Sequence, residues 1–218
     1  MIEAHKIPVE RTAHYYTFGK ATKQTKYCWI VCHGYGQLAS KIIHKFDGLG
    51  EDHFVVAPEA LSSFYWKRPI IGASWMTRKD RLDEIADYTK YIKGLYEEYI
   101  PQCADDVQII LFGFSQGCAT QIRWLMREFP VFHKLVLWAG LLPEDLDYTP
   151  HQDYFLDKDF HWFIGDEDEF INKKIYDWHI QFAKKQGLSL QITDFKGKHE
   201  IDRTILANFV KSIESSNL

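Results

Sequence analysis

Residues 107–129 read VQIILFGFSQGCATQIRWLMREF, and this stretch decides the fold. It begins with a solid apolar run, Val107–Phe112, and ends in a helical pattern, Cys118–Phe129, that Pro130 closes. Between them lies GFSQG at positions 113–117, a serine flanked by glycines on a strand-to-helix turn. Such a turn holds the serine hydroxyl clear of the sheet, and the glycines let strand and helix approach closely. The stretch therefore predicts an exposed, reactive Ser115 on an α/β sheet.

Working outward in both directions, short apolar runs alternate with longer helical patterns. Strands are expected at Tyr27–Cys32, Phe54–Ala57, Leu135–Ala139, Phe160–Ile164 and Leu188–Phe195, and helices at Thr77–Tyr99, Ile171–Lys185 and Glu200–Glu214. Solid apolar strands separated by helices indicate a mostly parallel sheet with helices on both faces. Ile2–Val9 and His14–Phe18 instead alternate apolar with polar residues, which predicts antiparallel edge strands at the start of the chain.

The sequence contains no internal repeat, low-complexity segment or linker, so we expect residues 1–218 to form a single domain. Its longest stretches without periodicity are Glu59–Met76 and Gly140–Asp159. Both follow predicted strands and should lie at the carboxyl edge of the sheet. Open α/β folds bind their ligands at that edge.

Composition excludes several classes of function. The chain has 218 residues, a formal charge of −4 and a pI near 6.2, which gives no electrostatic basis for binding nucleic acid. Four cysteines are too few for a disulfide scaffold of this size. The N-terminal stretch lacks the apolar core of a signal peptide, and no apolar run approaches the length of a membrane span. We therefore expect a cytoplasmic protein without a membrane span.

A serine nucleophile needs a base, and the base needs an orienting acid. His199 lies in the turn between the last predicted strand and the last helix. The acid is expected in the carboxylate-rich turn GDEDE at positions 165–169, which ends an earlier strand. We interpret Asp166 and Glu169 as residues that cap this turn, and Asp168 as the acid. The resulting order Ser, Asp, His is that of the α/β-hydrolase fold.

An oxyanion-binding turn is expected at HGYG, positions 33–36, because it follows the first solid parallel strand. The backbone N–H groups of Tyr35 and Gln116 could together stabilise a tetrahedral intermediate. Cys28, Cys32 and His33 superficially resemble metal ligands. The two cysteines share one strand face while His33 points to the other, so we predict buried cysteines and no metal site.

The motifs HGYG, GFSQG, GDEDEF and KGKH, in this order and spacing, resemble the phospholipase/carboxylesterase family of small α/β-hydrolases, which includes acyl-protein thioesterases and lysophospholipases. The similarity extends from about Tyr27 to Val210. It implies a cofactor-free enzyme without a large cap domain. By motif match, it also implies the nucleophile Ser115, the acid Asp168, the base His199 and the oxyanion donors Tyr35 and Gln116. Cys118 and Gln37 depart from residues common in the family, which weakens any transfer of substrate specificity.

Aromatic residues cluster in the stretch that follows the second parallel strand. Phe64, Tyr65, Trp66 and Trp75 are candidate walls of an acyl-binding pocket, since a concave apolar site needs bulky side chains. Packing within the loop is the competing interpretation. The depth of any pocket depends on how the stretches 59–76 and 140–159 fold, and the sequence leaves this open.

The leading hypothesis is a serine hydrolase that cleaves small carboxylic esters or thioesters through an acyl-enzyme. A catalytically silent hydrolase-fold protein that binds a ligand or partner is the first alternative, but every catalytic residue is present. A lactone hydrolase resembling dienelactone hydrolase is the second, although that family uses a cysteine where this chain has Ser115. The substrate and the oligomeric state stay open.

Overall fold

A computed structural model of the chain describes residues 1–215. Its centre is a seven-stranded sheet in the order β1-β3-β2-β6-β7-β8-β9. Only β1 runs antiparallel to its neighbour. The strands are β1 (Tyr15–Phe18), β2 (Tyr27–Cys32), β3 (His53–Pro58), β4 (Ser62–Lys67), β5 (Ile70–Ser74), β6 (Gln108–Phe114), β7 (Lys134–Trp138), β8 (Asp159–Gly165) and β9 (Leu190–Phe195).

Helices cover both faces of this sheet. They are α1 (Ala39–Ile42), α2 (Arg81–Tyr99), α3 (Gln116–Glu128), α4 (Gln152–Phe155), α5 (Lys173–Lys185) and α6 (Arg203–Ser215), with 3₁₀ turns at Ile43–Phe46, Ile100–Gln102 and Thr149–His151. One apolar core joins the sheet to α2, α3, α4 and α5, and a second joins the opposite face to α1 and α6. The predicted mostly parallel sheet with helices on both faces is confirmed, and no cap domain is evident.

The burial of the strands explains why they are solidly apolar. All six residues of β2 are buried, as are all six of β3. Side chains alternate between the two cores, with Cys28 and Ile30 in one and Trp29 and Val31 in the other. A strand enclosed on both faces has no position for an exposed polar residue.

The stretch Glu59–Met76, expected to be irregular, contains a β-hairpin formed by β4 and β5. Its strands pair with each other and are separate from the seven-stranded sheet. The sequence of β4, SSFYWK, has three consecutive aromatic residues, so it shows no alternation of apolar and polar residues. Because the hairpin is partly exposed on both faces, its strands lack the pattern that burial on one face imposes.

Two predictions are corrected, one at the start of the chain and one at the start of α2. Ile2–Val9 forms no strand and is exposed throughout, while Lys6 pairs with Asp80 and Asp83 near the start of α2. The segment therefore lies against a helix instead of a sheet edge. The helix expected from Thr77 begins at Arg81, because Asp80 has a left-handed backbone with φ of 52°. Other boundaries shift by one to three residues.

No helix in residues 1–215 is both long enough and apolar enough to span a membrane.

Three histidines are held neutral in the interior. Burial lowers the pKa of His33, His161 and His179 to about 4 in each case. His33 Nε2 accepts a hydrogen bond from the Ala60 N–H at 3.0 Å, and His179 Nε2 accepts one from the Leu142 N–H at 2.9 Å. A protonated ring would lose that acceptor, so both bonds require the neutral form.

We expect the free energy of unfolding to fall as the pH drops from about 6.5 towards 4. Because these pKa values are lower in the folded chain than the 6.5 of an unfolded histidine, the unfolded state binds more protons in this window. This loss is absent well above pH 6.5 and reaches roughly 2 kcal/mol per histidine at pH 5. Urea titrations across this range measure it.

His179→Gln keeps an acceptor for Leu142 but cannot titrate, so it should flatten this pH dependence. The matched control is His5→Gln, since His5 lies in the exposed N-terminal segment. If the free energy of unfolding depended on pH in the same way in His179→Gln and the wild type, the proposed contribution of His179 would be contradicted.

Candidate active site

Ser115 lies at the sharp turn from β6 into α3. Its backbone has φ of 52° and ψ of −117°, a conformation that side-chain-bearing residues rarely adopt. The turn is fixed by a hydrogen bond from the Ser115 N–H to the Trp138 carbonyl at 2.9 Å. A Cβ at Gly117 would lie 2.1 Å from the Cys32 carbonyl oxygen, so only glycine lets α3 approach β2 this closely. These contacts form the tight turn that the sequence predicts.

Asp168 and His199 are brought together across the ends of β8 and β9. Asp168 Oδ2 lies 2.8 Å from His199 Nδ1, and the Asp168 side chain has no exposed area. The other oxygen, Oδ1, accepts hydrogen bonds from the N–H groups of Phe170 and Ile171 at 2.8 and 3.0 Å. A buried carboxylate needs such partners, and these leave Oδ2 directed at the imidazole.

Asp166 has a different role from Asp168. Its Oδ1 accepts a hydrogen bond from the Gly197 N–H at 2.9 Å, and so joins its turn to the turn that carries His199. The sequence predicts a turn-forming role for Asp166 within its own loop. The structure gives it a backbone partner in the neighbouring loop, 31 positions along the chain.

Two aromatic rings enclose the His199 imidazole. Its centroid lies 5.0 Å from that of Phe114 and 4.6 Å from that of Phe170. Phe114 directly precedes Ser115, so this packing holds the imidazole next to the nucleophile turn. In residues 1–215 the Ser115 hydroxyl makes no hydrogen bond to the ring. Bonds of this kind often tighten only with substrate bound.

The turn at positions 33–36 lies directly beside Ser115. A Cβ at Gly34 would lie 3.2 Å from Ser115 Cβ. The Tyr35 N–H has no acceptor among the described residues. The Gln116 N–H belongs to the first turn of α3, where N–H groups lack partners within the helix. Two unpaired donors therefore flank the nucleophile.

Two glutamine side chains hold this region, and sequence reasoning missed both. Gln37 Oε1 accepts from the Gly34 N–H at 3.1 Å and thereby closes the HGYG turn. Gln116 Oε1 accepts from the Trp75 N–H at 3.1 Å, and its Nε2 donates to the Met76 carbonyl at 2.9 Å. These bonds fasten the end of the hairpin to the start of α3. The partners of Gln116 lie 40 and 41 positions away in the chain, so no local pattern could reveal them, whereas Gln37 bonds to a residue only three positions before it.

The four candidate pocket aromatics occupy different positions. The rings of Phe64 and Trp66 pack on Tyr35, with centroids 5.2 and 5.5 Å away, so they lie beside the oxyanion-binding turn. Tyr65 is exposed and lies under the Arg68 guanidinium. Trp75 is buried against His33, where its Nε1–H donates to the His33 carbonyl at 2.8 Å. Of the four, Phe64 and Trp66 are therefore the two that lie against the turn at positions 33–36.

Residues able to hold a metal are scattered. Cys28 and Cys32 are buried and free, as the strand pattern predicts. Among residues 1–215 no group of three or more His, Cys, Asp and Glu side chains is positioned to hold a metal ion.

Solved structures of other proteins share this fold. The chain superposes on acyl-protein thioesterase 2 from Zea mays with a TM-score of 0.74 and 14% identity, over 94% of this chain and 99% of that one. It superposes on a carboxylesterase from Mesorhizobium loti with a TM-score of 0.68 and 14% identity, over 91% and 94%. For esterase PE8 the TM-score is 0.66 and the identity 16%, over 93% and 100%. These likenesses show the fold.

Among curated proteins none is a significant match to the sequence. The family profile described as Phospholipase/Carboxylesterase matches residues 17–217, which is nearly the whole chain. This chain belongs to the phospholipase/carboxylesterase family of α/β-hydrolases.

Proposed function

We propose that this protein is a serine hydrolase that cleaves small carboxylic esters or thioesters through an acyl-enzyme, without a cofactor. Membership of the family and the likeness to esterases and a thioesterase support a hydrolase of this type. The observation that carries the proposal is the buried Asp168 carboxylate, bonded to His199 beside the strained Ser115 turn. Its four cysteines are free and buried, which suits a reducing cytoplasm.

In the first half of the reaction, Ser115 Oγ attacks the carbonyl carbon of the substrate while His199 Nε2 takes the hydroxyl proton. The carbonyl oxygen becomes an oxyanion, and the N–H groups of Tyr35 and Gln116 donate to it. When the tetrahedral intermediate collapses, the bond to the leaving group breaks. His199 then returns its proton to the departing oxygen or sulfur.

In the second half, water replaces the leaving group. His199 takes a proton from water, the resulting hydroxide attacks the acyl carbon, and Ser115 leaves with the proton restored to it. Asp168 stays ionised throughout. By accepting from His199 Nδ1, it keeps the proton on that nitrogen and leaves Nε2 free to act as the base.

Two alternatives remain to be tested beside this proposal. A silent binding protein would keep the fold but lack turnover. A lactone hydrolase would act on cyclic esters, yet the residue at the nucleophile turn is a serine and the nearest thiol, Cys118, is fully buried.

A fluorophosphonate probe should label Ser115 and no other residue, because among the serines of residues 1–215 only this one combines a strained turn with a neighbouring base. Intact mass and peptide mapping measure the adduct. Ser115→Ala should abolish both the labelling and the hydrolysis of p-nitrophenyl esters from acetate to palmitate. Ser63→Ala, on the exposed hairpin, is the control that should change neither. Folded protein that neither labels nor turns over any ester would identify a silent binder.

Asp168→Asn should leave the chain folded but lower kcat by on the order of 10⁴. The two N–H groups that bind Oδ1 would hold the amide oxygen, so the amide NH₂ would face His199 Nδ1. That ring nitrogen must then accept, which moves the ring proton to Nε2 and removes the base.

Asp166→Asn is the matched control, since an amide oxygen can still accept from the Gly197 N–H. We expect a loss in kcat well under tenfold. Melting curves must accompany both variants. If folded Asp166→Asn lost its activity while Asp168→Asn stayed fully active, the assignment of Asp168 as the acid would be refuted.

A further inference from the structure

A cleft of about 370 Å³ extends from His199 towards α1, on the face of the sheet opposite α2. It lies between the hairpin strand β5 on one side and residues 200–201, which follow His199, on the other. Its volume is near the lower end of the range for small-molecule sites. The cleft therefore suits one small part of a substrate that also reaches His199.

The walls of the cleft are aliphatic. Ile42 and Ile201 are buried and form its inner side, while Ile70 and Ile71 of β5 line it with 57% and 49% of their surface exposed. Both side chains therefore expose apolar surface to water in the free protein. A short apolar stem in the cleft would remove their surface from water.

Two lysines line the α1 side of the same cleft. Lys41 lies in α1 and Lys45 in the 3₁₀ turn that follows it. Lys45 Nζ donates to the Ile201 carbonyl at 2.7 Å, and neither lysine has an ion-pair partner among the described residues. Glu200 is the one acidic residue that lines the cleft. The positive charge is therefore in excess.

We infer that the cleft binds the leaving group of the substrate, and that this group is a short aliphatic alcohol or thiol ending in a carboxylate. This inference rests on the proposed function, in which His199 protonates the leaving atom and must therefore touch that half of the substrate. The aliphatic stem lies against Ile42 and Ile71, and the carboxylate accepts from Lys41. Bond cleavage is unchanged from the ester or thioester hydrolysis described above.

Equilibrium binding tests the cleft without any turnover. The probe is 3-(butylthio)propanoate, a thioether that cannot be hydrolysed, and its neutral reference is 3-(butylthio)propanamide. In calorimetry the wild type should bind the acid about tenfold more tightly than the amide, a difference expected of one charge-assisted hydrogen bond. Lys41→Met should reduce the preference to twofold or less, and Lys41→Arg should restore most of it.

Lys90→Met is the matched control. The substitution removes the same charge, but Lys90 lies on α2, on the opposite face of the sheet. It should keep the tenfold preference. No preference in the wild type, or a preference that survives Lys41→Met, would overturn the inference.

Kinetics test which half of the substrate the cleft holds. The thioester S-butanoyl-3-mercaptopropanoate should have a higher kcat/KM than S-butanoyl propanethiol, and Lys41→Met should abolish the difference. A carboxylate on the acyl half, as in the propanethiol monothioester of glutarate, should give no such advantage. An advantage confined to the acyl half would overturn the orientation. If neither these thioesters nor the p-nitrophenyl esters are hydrolysed, the proposed function fails, while the calorimetry still decides the cleft.

Discussion

The site depends on the close approach of α3 to the end of β2. With no side chain at Gly117, the first turn of α3 lies against the Cys32 carbonyl. That contact brings Ser115 and the unpaired N–H groups of α3 next to the HGYG turn that follows β2. Any side chain at this position would separate the two elements. In the proposed mechanism, Ser115 and the N–H groups of Tyr35 and Gln116 would then no longer converge on one point.

A similar constraint operates between the loop that carries Asp168 and the loop that carries His199. A Cβ at Gly165 would lie 2.3 Å from the Gly197 carbonyl oxygen, so these loops also require a glycine where they meet. The Asp166 carboxylate then joins them through the Gly197 N–H. Asp168 is enclosed by the same arrangement and directs its free oxygen at His199. Both halves of the site thus follow from backbone contact at the carboxyl edge of a parallel sheet.

The sequence predicts those parts of the molecule that local pattern controls. Strands such as β2, buried on both faces, show as solid apolar runs, and Ser115 shows by its place between such a run and a helix. The hairpin is not predictable in this way, because most residues of β4 are exposed and its three consecutive aromatic residues leave no alternation. Ile2–Val9 shows the converse error, since alternation without a surface to bury it produces no strand. The bonds of the Gln116 side chain depend on tertiary contact alone.

The bonds from the Gln116 side chain have a further consequence for how this molecule can diversify. One residue supplies a backbone donor beside Ser115 and also fastens the base of the hairpin at Trp75 and Met76. These two bonds couple the base of the hairpin to the turn that carries Ser115, so a displacement of one would displace the other. Within residues 1–215, no side-chain hydrogen bond of this kind holds the hairpin tip near Arg68. Substitutions and insertions should therefore be tolerated better at the tip than at the base.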